Sequence, residues 1–122
     1  MHEVAVTNLI SELRVGLSET GLCLRVDGAR LPDLIRSGAA SFAIVIGGAE
    51  VRVVPIDRPW IAVDAIVEIH VPFEQLGVAS GDLQFAIQIR DAQTAVLEAV
   101  PQGRFWTIAI PESRRTAHDW QA

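Results

Sequence analysis

The chain has 122 residues, half of them apolar, and a formal net charge of −5, with ten arginines and no lysine. This length predicts one domain, and no stretch reaches the roughly 18 consecutive apolar residues of a membrane span. An acidic chain without a basic stripe is a poor partner for nucleic acid, because contacts with phosphates supply most of that affinity. The opening residues MHEVAVTNLI show no secretory signal, so we expect a cytoplasmic protein.

The first predicted elements form a β-hairpin. Apolar residues alternate with polar ones from Ile10 to Leu17 and again from Leu22 to Val26, which is the pattern of strands with one buried face. The sequence Ser-Glu-Thr-Gly at 18–21 joins them and is typical of a tight turn. We predict that Gly21 takes the positive-φ position of this turn, which glycine adopts without steric cost.

A crossover and a second hairpin follow. Residues 27–39 contain one proline and two glycines and lack a clear period, so they predict a crossover loop with a short helical turn at Asp33–Arg36. The Gly47-Gly48 pair is a strong hairpin signal between two apolar runs. The alternation in the second run predicts that Val51 and Val53 face the core.

The stretch Ile61–Val71 predicts the central strand. Every odd position in it is apolar, whereas the charged side chains occupy even positions, so the charges lie on the face away from the core. Pro72 has no N–H group to donate to a neighbouring strand and ends this one. Residues 73–76 then predict a single helical turn.

Three further strands are predicted at 83–90, 94–100 and 105–110, followed by a polar, less regular tail at 112–122. About eight short strands with almost no helix predict an all-β fold, an antiparallel β-sandwich of the immunoglobulin-like type. No connection is long enough for the crossover helix that a parallel sheet needs. We therefore expect a single sandwich domain over residues 1–122.

Four segments of the sequence resemble a known module. They are LCLRVD at 22–27, AVDAIVEIHVPFEQLGVASGDLQFAIQI at 62–89, LEAVPQ at 97–102 and WTIAIP at 106–111. The second contains the strand-turn-strand pattern E-x-x-V-P-F-x-x-L-G-x-x-x-G-D. Together they resemble the C-terminal DOMON-like, glucodextranase-type β-sandwich that follows the catalytic part of family 57 glycoside hydrolases. The resemblance covers roughly Ile10 to Trp120.

This resemblance implies a non-catalytic accessory module of a carbohydrate-active protein, with a polysaccharide such as α-glucan as its ligand. The chain shows no G-x-S-x-G, no H-E-x-x-H and no phosphate-binding loop, so we expect no enzyme activity. DOMON-like domains include haem binders, but Met1 is the initiator and His70 lies on the charged face, so we expect no cofactor and no metal. The alternative is a structural or protein-interaction sandwich that packs on a catalytic domain or self-associates.

Aromatic residues are the candidate sugar contacts, because sugars stack their apolar faces on exposed rings. Trp60 is the first candidate, since it follows a proline in a loop before the predicted central strand. Phe105 is expected to point outward, and Trp120 near the end of the chain is either a contact or an anchor for the tail. Trp106 alternates with apolar residues and is expected in the core.

The charged face of the central strand carries Asp64, Glu68 and His70. These side chains could form a metal site or an acid–base group, or they could be a solvated surface. We favour the solvated surface, because residues two apart on a strand lie about 7 Å apart, whereas metal ligands converge on one point. We then expect a cross-strand pair between Glu68 and Arg90.

Two further residues bear on catalysis. Glu98 is expected to be partly buried and paired with an arginine, since the sequence offers no second carboxylate to make a catalytic pair with it. Cys23 is the single cysteine and is expected to be a small core residue rather than a nucleophile.

Overall fold

The structure is a computed structural model that describes residues 9–57, 59–77 and 81–111. The predicted tail at 112–122, with Trp120, lies outside these residues. The described residues form nine strands and two short helices: β1 (Glu12–Leu17), β2 (Gly21–Asp27), α1 (Leu31–Ser37), β3 (Ala40–Ile46), β4 (Arg52–Ile56), β5 (Ile61–Val63), β6 (Val67–Pro72), α2 (Phe73–Leu76), β7 (Gly81–Asp91), β8 (Val96–Val100) and β9 (Trp106–Ile110).

The strands form two sheets. One has four strands in the order β1-β2-β6-β5, and the other has five, in the order β4-β3-β7-β8, with β9 also paired with β7. Every pairing between the described strands is antiparallel. The predicted all-β antiparallel sandwich is therefore confirmed.

Strand β7 lies at the centre of the five-stranded sheet and supplies much of the core. Its alternate residues Leu83, Phe85, Ile87 and Ile89 are at most 1% exposed, as their period of two predicts. Burial of a side chain of this size stabilises the fold by about 1.5–3 kcal/mol. The four-stranded sheet presents its own buried residues to the same cluster, among them Leu22, Leu24, Val26, Val67, Ile69 and Val71.

The stretch 61–71 is a hairpin rather than one strand, so that prediction is wrong. Strands β5 and β6 pair with Ile61 opposite Ile69 and Val63 opposite Val67, and residues 64–66 form the bend between them. A turn of three residues keeps the odd positions of both arms on the same face, so the period of two runs through the turn without a break. Neither glycine nor proline marks this turn.

Strand β4 buries the side opposite to the predicted one. Ile56 is 4% exposed and Val54 packs against the core, whereas Val51 and Val53 are 61% and 41% exposed. The predicted inward orientation of Val51 and Val53 is therefore wrong. Both sides of this strand carry apolar residues, so its orientation follows from its register with β3, in which the core-facing residues lie opposite Val54 and Ile56.

The two helices connect strands of different sheets. Helix α1 carries the chain from β2 to β3 and covers seven residues, more than the short turn predicted at 33–36. Helix α2 confirms the turn predicted at 73–76, and it ends at Gly77, whose φ of 71° is in the left-handed region. Within the described ranges, neither helix has the length and apolar character to cross a bilayer.

Gly21 is required by a close backbone approach. It is not among the positive-φ glycines, so the predicted conformation is wrong. It begins β2 opposite Pro72, and a Cβ atom at this position would lie 2.3 Å from the carbonyl oxygen of Val71. The absence of a side chain therefore allows β2 and β6 to pair at this point.

Candidate functional site

The outer face of the four-stranded sheet carries an open groove of about 500 Å³. This volume lies within the range of small-ligand sites, roughly 300–1,000 Å³. All four strands of the sheet contribute to the groove, and the loop before β5 closes one end. We refer to it as the sheet groove; the residues that line it include Arg14, Gly16, Cys23, Arg25, Pro59, Trp60, Ala62, Glu68 and His70.

Strand register arranges the lining in two rows across the sheet. The first row consists of Gly16, Cys23, His70 and Trp60. The second row consists of Arg14, Arg25, Glu68 and Ala62. A Cβ atom at Gly16 would have nothing within 4 Å, so this glycine keeps the floor of the groove low.

Trp60 lies at the β5 end of the groove. Its backbone N–H donates to the carbonyl oxygen of Asp57 at 2.8 Å, and its own carbonyl oxygen accepts from the N–H of His70 at 2.8 Å. The residue is half-buried and packs against the core while it also lines the groove. A ring held in this way offers a fixed apolar surface on which a sugar can stack.

His70 is anchored by the turn between β1 and β2. Its Nε2 lies 3.1 Å from the Oγ of Ser18 and 3.2 Å from the Oγ1 of Thr20. The Ser18 hydroxyl also accepts the backbone N–H of Gly21 at 3.1 Å, which ties the side chain to the turn. Both of these contacts are made by Nε2, and His70 lines the groove.

Arg14 and Arg25 lie directly opposite each other, which is unfavourable for like charges. The Nε of Arg14 is 3.4 Å from the Oε2 of Glu12, and both side chains are exposed, so that pair contributes at most about 1 kcal/mol. Arg25 on β2 lies opposite Glu68 on β6, and among the described residues no ion pair includes Arg25. The groove therefore presents guanidinium donors and a carboxylate acceptor side by side.

The predicted pair between Glu68 and Arg90 does not form, because the two residues belong to different sheets. The prediction treated β6 and β7 as neighbours, whereas the chain passes between the sheets at α2. The Nε of Arg90 instead donates to the Oε1 of Gln88 at 3.1 Å. Asp64 lies in the bend between β5 and β6, and the described residues contain no group of three or more His, Cys, Asp or Glu suited to a metal ion.

Cys23 lines the groove and is not part of the core. It is half-buried and lies between Gly16 and His70 in the first row. Its position follows the alternation of β2, in which Leu22 and Leu24 point inward. The prediction from residue type was wrong because strand alternation outweighs the general preference of cysteine for burial.

One predicted aromatic contact, Phe105, lies away from Trp60. Phe105 is 36% exposed and lies on the outer face of the other sheet, where a Cβ atom at Gly47 would be 3.0 Å from its ring. The structure therefore places Phe105 and Trp60 on opposite sides of the sandwich. Trp120 lies outside the described residues.

Glu98 and Trp106 lie at the edge of the sandwich between β1 and β8. The carboxylate of Glu98 accepts the backbone N–H groups of Leu9 and Ile10, the latter at 3.3 Å, and no arginine of the described ranges forms an ion pair with it. Trp106 packs against the core as expected, edge-on to Phe85 with ring centroids 5.7 Å apart.

Comparisons of the chain with protein-family models, with curated proteins and with solved structures found no match.

Sequence reasoning overlooked the two arginines of the groove, although a signal was present. The turn predicted at 18–21 pairs residues that are equally far from it on either side, so it places position 14 opposite position 25. The contact between Trp60 and His70 had no such signal, since it depends on the unmarked turn at 64–66.

Proposed function

We propose that the chain is a non-catalytic, carbohydrate-binding accessory module of a cytoplasmic, glucan-processing protein, and that the sheet groove holds the sugar. The observation that carries this proposal is the position of Trp60 at the end of an open groove beside His70, Glu68 and two arginines. The resemblance to the modules of family 57 glycoside hydrolases supports the same function, with α-glucan as the ligand.

The lining suits a neutral sugar. The apolar face of a pyranose ring stacks on Trp60, and its hydroxyl groups both donate and accept hydrogen bonds. Arg14 and Arg25 supply donors, and Glu68 supplies acceptors. Gly16 and Ala62, which have small or no side chains, leave space above the sheet for the sugar.

The groove is better suited to binding than to hydrolysis. Most glycosidases place two carboxyl groups on either side of the bond that is cleaved. Among the described residues that line the groove, Glu68 is the one carboxylate. A second carboxylate is needed for the usual mechanism, so we assign the catalytic step to another part of the parent protein.

Affinity electrophoresis in native gels that contain amylose, glycogen or another glucan tests the proposal. We expect retardation of the unmodified chain, and a fall of about tenfold in apparent affinity for Trp60→Ala, as loss of one stacking contact implies. Trp60→Phe should retain part of the affinity. Gln93→Ala, an exposed change in the turn between β7 and β8, is the matched control and should migrate as the unmodified chain does.

Two results would contradict the proposal: no retardation by any glucan, or equal retardation of the unmodified chain and Trp60→Ala. Phe105→Ala and Trp120→Ala test the other two predicted contacts in the same gels. Because Phe105 lies on the opposite sheet, we expect it to contribute nothing to the sheet groove.

The second candidate function is a protein-interaction sandwich that packs on a catalytic domain or on a copy of itself. A specific observation favours it, namely that the described outward positions of the five-stranded sheet carry few charged side chains. Depletion of charged residues is typical of the central part of protein–protein interfaces.

A further inference from the structure

The outer face of the five-stranded sheet differs from the rest of the surface in charge. The outer face of the four-stranded sheet includes the charged residues Glu12, Arg14, Arg25, Asp27 and Glu68. At the outward positions of β3, β4, β7, β8 and β9, as the structure describes them, the charged residues are Asp82 and Arg90. We refer to this surface as the uncharged face.

An apolar row crosses the middle of the uncharged face. Val53, Val45 and Ala86 lie opposite one another on β4, β3 and β7, and the register of β9 places Phe105 next to Ala86. Val45 and Ala86 are 7% and 6% exposed although neither belongs to the core cluster. Val53 and Phe105 remain 41% and 36% exposed. The row thus presents two large apolar side chains to solvent.

Strand β7 carries a self-complementary series on this face. The outward residues are, in order, Asp82, Gln84, Ala86, Gln88 and Arg90. Consider two copies stacked face to face, with a two-fold axis that lies in the plane between them, passes over Ala86 and runs at right angles to β7. This axis brings Asp82 of each copy to Arg90 of the second copy. The same axis places Gln84 opposite Gln88 of the second copy, and each amide group both donates and accepts. A parallel arrangement would instead oppose like charges.

The apolar row fits the same symmetry. The row crosses the strands at Ala86 and therefore runs along the two-fold axis. Each residue of the row then meets the same residue of the second copy. Apolar residues therefore meet apolar residues at the centre, while the charges meet at the rim. This is the anatomy of a specific isologous interface.

The dimensions agree with a stable dimer. The 33 residues of β3, β4, β7, β8 and β9, each covering about 4.8 Å by 3.3 Å, give a face of roughly 500 Å². A specific interface buries at least about 1,000 Å² in total, or roughly 500 Å² per partner. Asp82 and Arg90 each lie about 13 Å along β7 from the axis at Ala86. Packed sheets cross at about 30°, so at this distance the two partners are offset sideways by about 7 Å, which an arginine side chain can span.

We propose that two copies of this chain form a symmetric dimer through their uncharged faces, with β7 antiparallel to β7 of the second copy and Asp82 paired with Arg90 at both ends. This interface leaves the sheet groove of each copy open on the outside.

Sedimentation equilibrium of the full chain over about 1–100 μM tests the proposal, since this range measures a micromolar dissociation constant and a tenfold change in it. We expect a dimer for the unmodified chain. Asp82→Arg brings like charges together at both ends and should weaken the dimer at least about tenfold. The double variant Asp82→Arg with Arg90→Asp restores complementarity and should restore the dimer.

Glu19→Arg changes the net charge by the same amount on the exposed β1–β2 turn and should leave the dimer intact. Val53→Glu should abolish it, and circular dichroism establishes that each variant is folded. If the unmodified chain is a monomer, the proposal is overturned. That result is also the one expected if this face instead packs on a catalytic domain. A dimer that tolerates Asp82→Arg, or a double variant that stays monomeric, would overturn the antiparallel pairing.

The dimer and the sugar site can fail independently. Trp60→Ala should weaken glucan retention but leave the dissociation constant of the dimer unchanged, and Asp82→Arg should raise that dissociation constant but keep the affinity of a single groove for glucan.

Discussion

Two glycines on neighbouring strands illustrate how single residues act in this sandwich. Gly21 lies where the carbonyl oxygen of Val71 comes so close that a Cβ atom would be 2.3 Å away. Gly16 faces the sheet groove, where a Cβ atom would have nothing within 4 Å. The first glycine is required by backbone packing, whereas the second matters for the shape of the groove.

This contrast predicts opposite effects of the same change. Gly21→Ala should lower the free energy of unfolding by about 3 kcal/mol, because the two strands must separate to admit the methyl group. Gly16→Ala should raise it by up to about 1 kcal/mol, since alanine restricts the unfolded chain and meets no obstacle here. Urea denaturation of both variants checks this, and equal stabilities would contradict it.

At the scale of elements, one side chain connects strand β4 to helix α2. Arg52 lies at a core-facing position opposite Ile46, at the end of the sheet, and its Nη2 donates to the carbonyl oxygen of Leu76. A Cβ atom at Gly77 would be 2.7 Å from this guanidinium group. The arginine therefore satisfies an unpaired carbonyl group at the end of the helix, which has no further turn to do so.

Arg52→Ala should lower the free energy of unfolding by about 1 kcal/mol, because it removes this hydrogen bond from a partly buried carbonyl group. Arg104→Ala is the matched control, since Arg104 is exposed in the loop before β9 and should contribute little. Thermal unfolding monitored by circular dichroism measures both. An unchanged melting temperature for Arg52→Ala would show that α2 does not depend on this contact.

At the scale of the whole molecule, the two outer faces of the sandwich have different chemistry around one shared core. The face of the four-stranded sheet is charged and carries the sheet groove, and the face of the five-stranded sheet is nearly uncharged. Both sheets bury their inner residues in the same cluster. A defect in that cluster therefore removes both faces together.

Neighbouring positions on β6 test this dependence. Ile69 is 3% exposed between the sheets, so Ile69→Asp should prevent soluble folding by burying a charge without a partner. His70→Ala changes the outer face and should cost less than about 2 kcal/mol. Soluble yield and far-ultraviolet circular dichroism distinguish them, and a folded Ile69→Asp variant would contradict the assignment of the core.

Local patterns were sufficient for the fold class and for much of the core. Alternation in 83–90 predicted the four buried residues of β7, and Gly47-Gly48 and residues 73–76 predicted a hairpin and a helical turn that the structure contains. These features depend on side chains close together in sequence. A period of two reports which residues share a face within one strand.

Long-range pairing decided the rest. The turn at 64–66, the inward side of β4 and the separation of Glu68 from Arg90 depend on which strands pair and in what register. The sheet groove and the uncharged face are likewise combinations of residues from four or more strands. Alternation leaves these arrangements open, because different registers of the same strands can preserve the same local pattern.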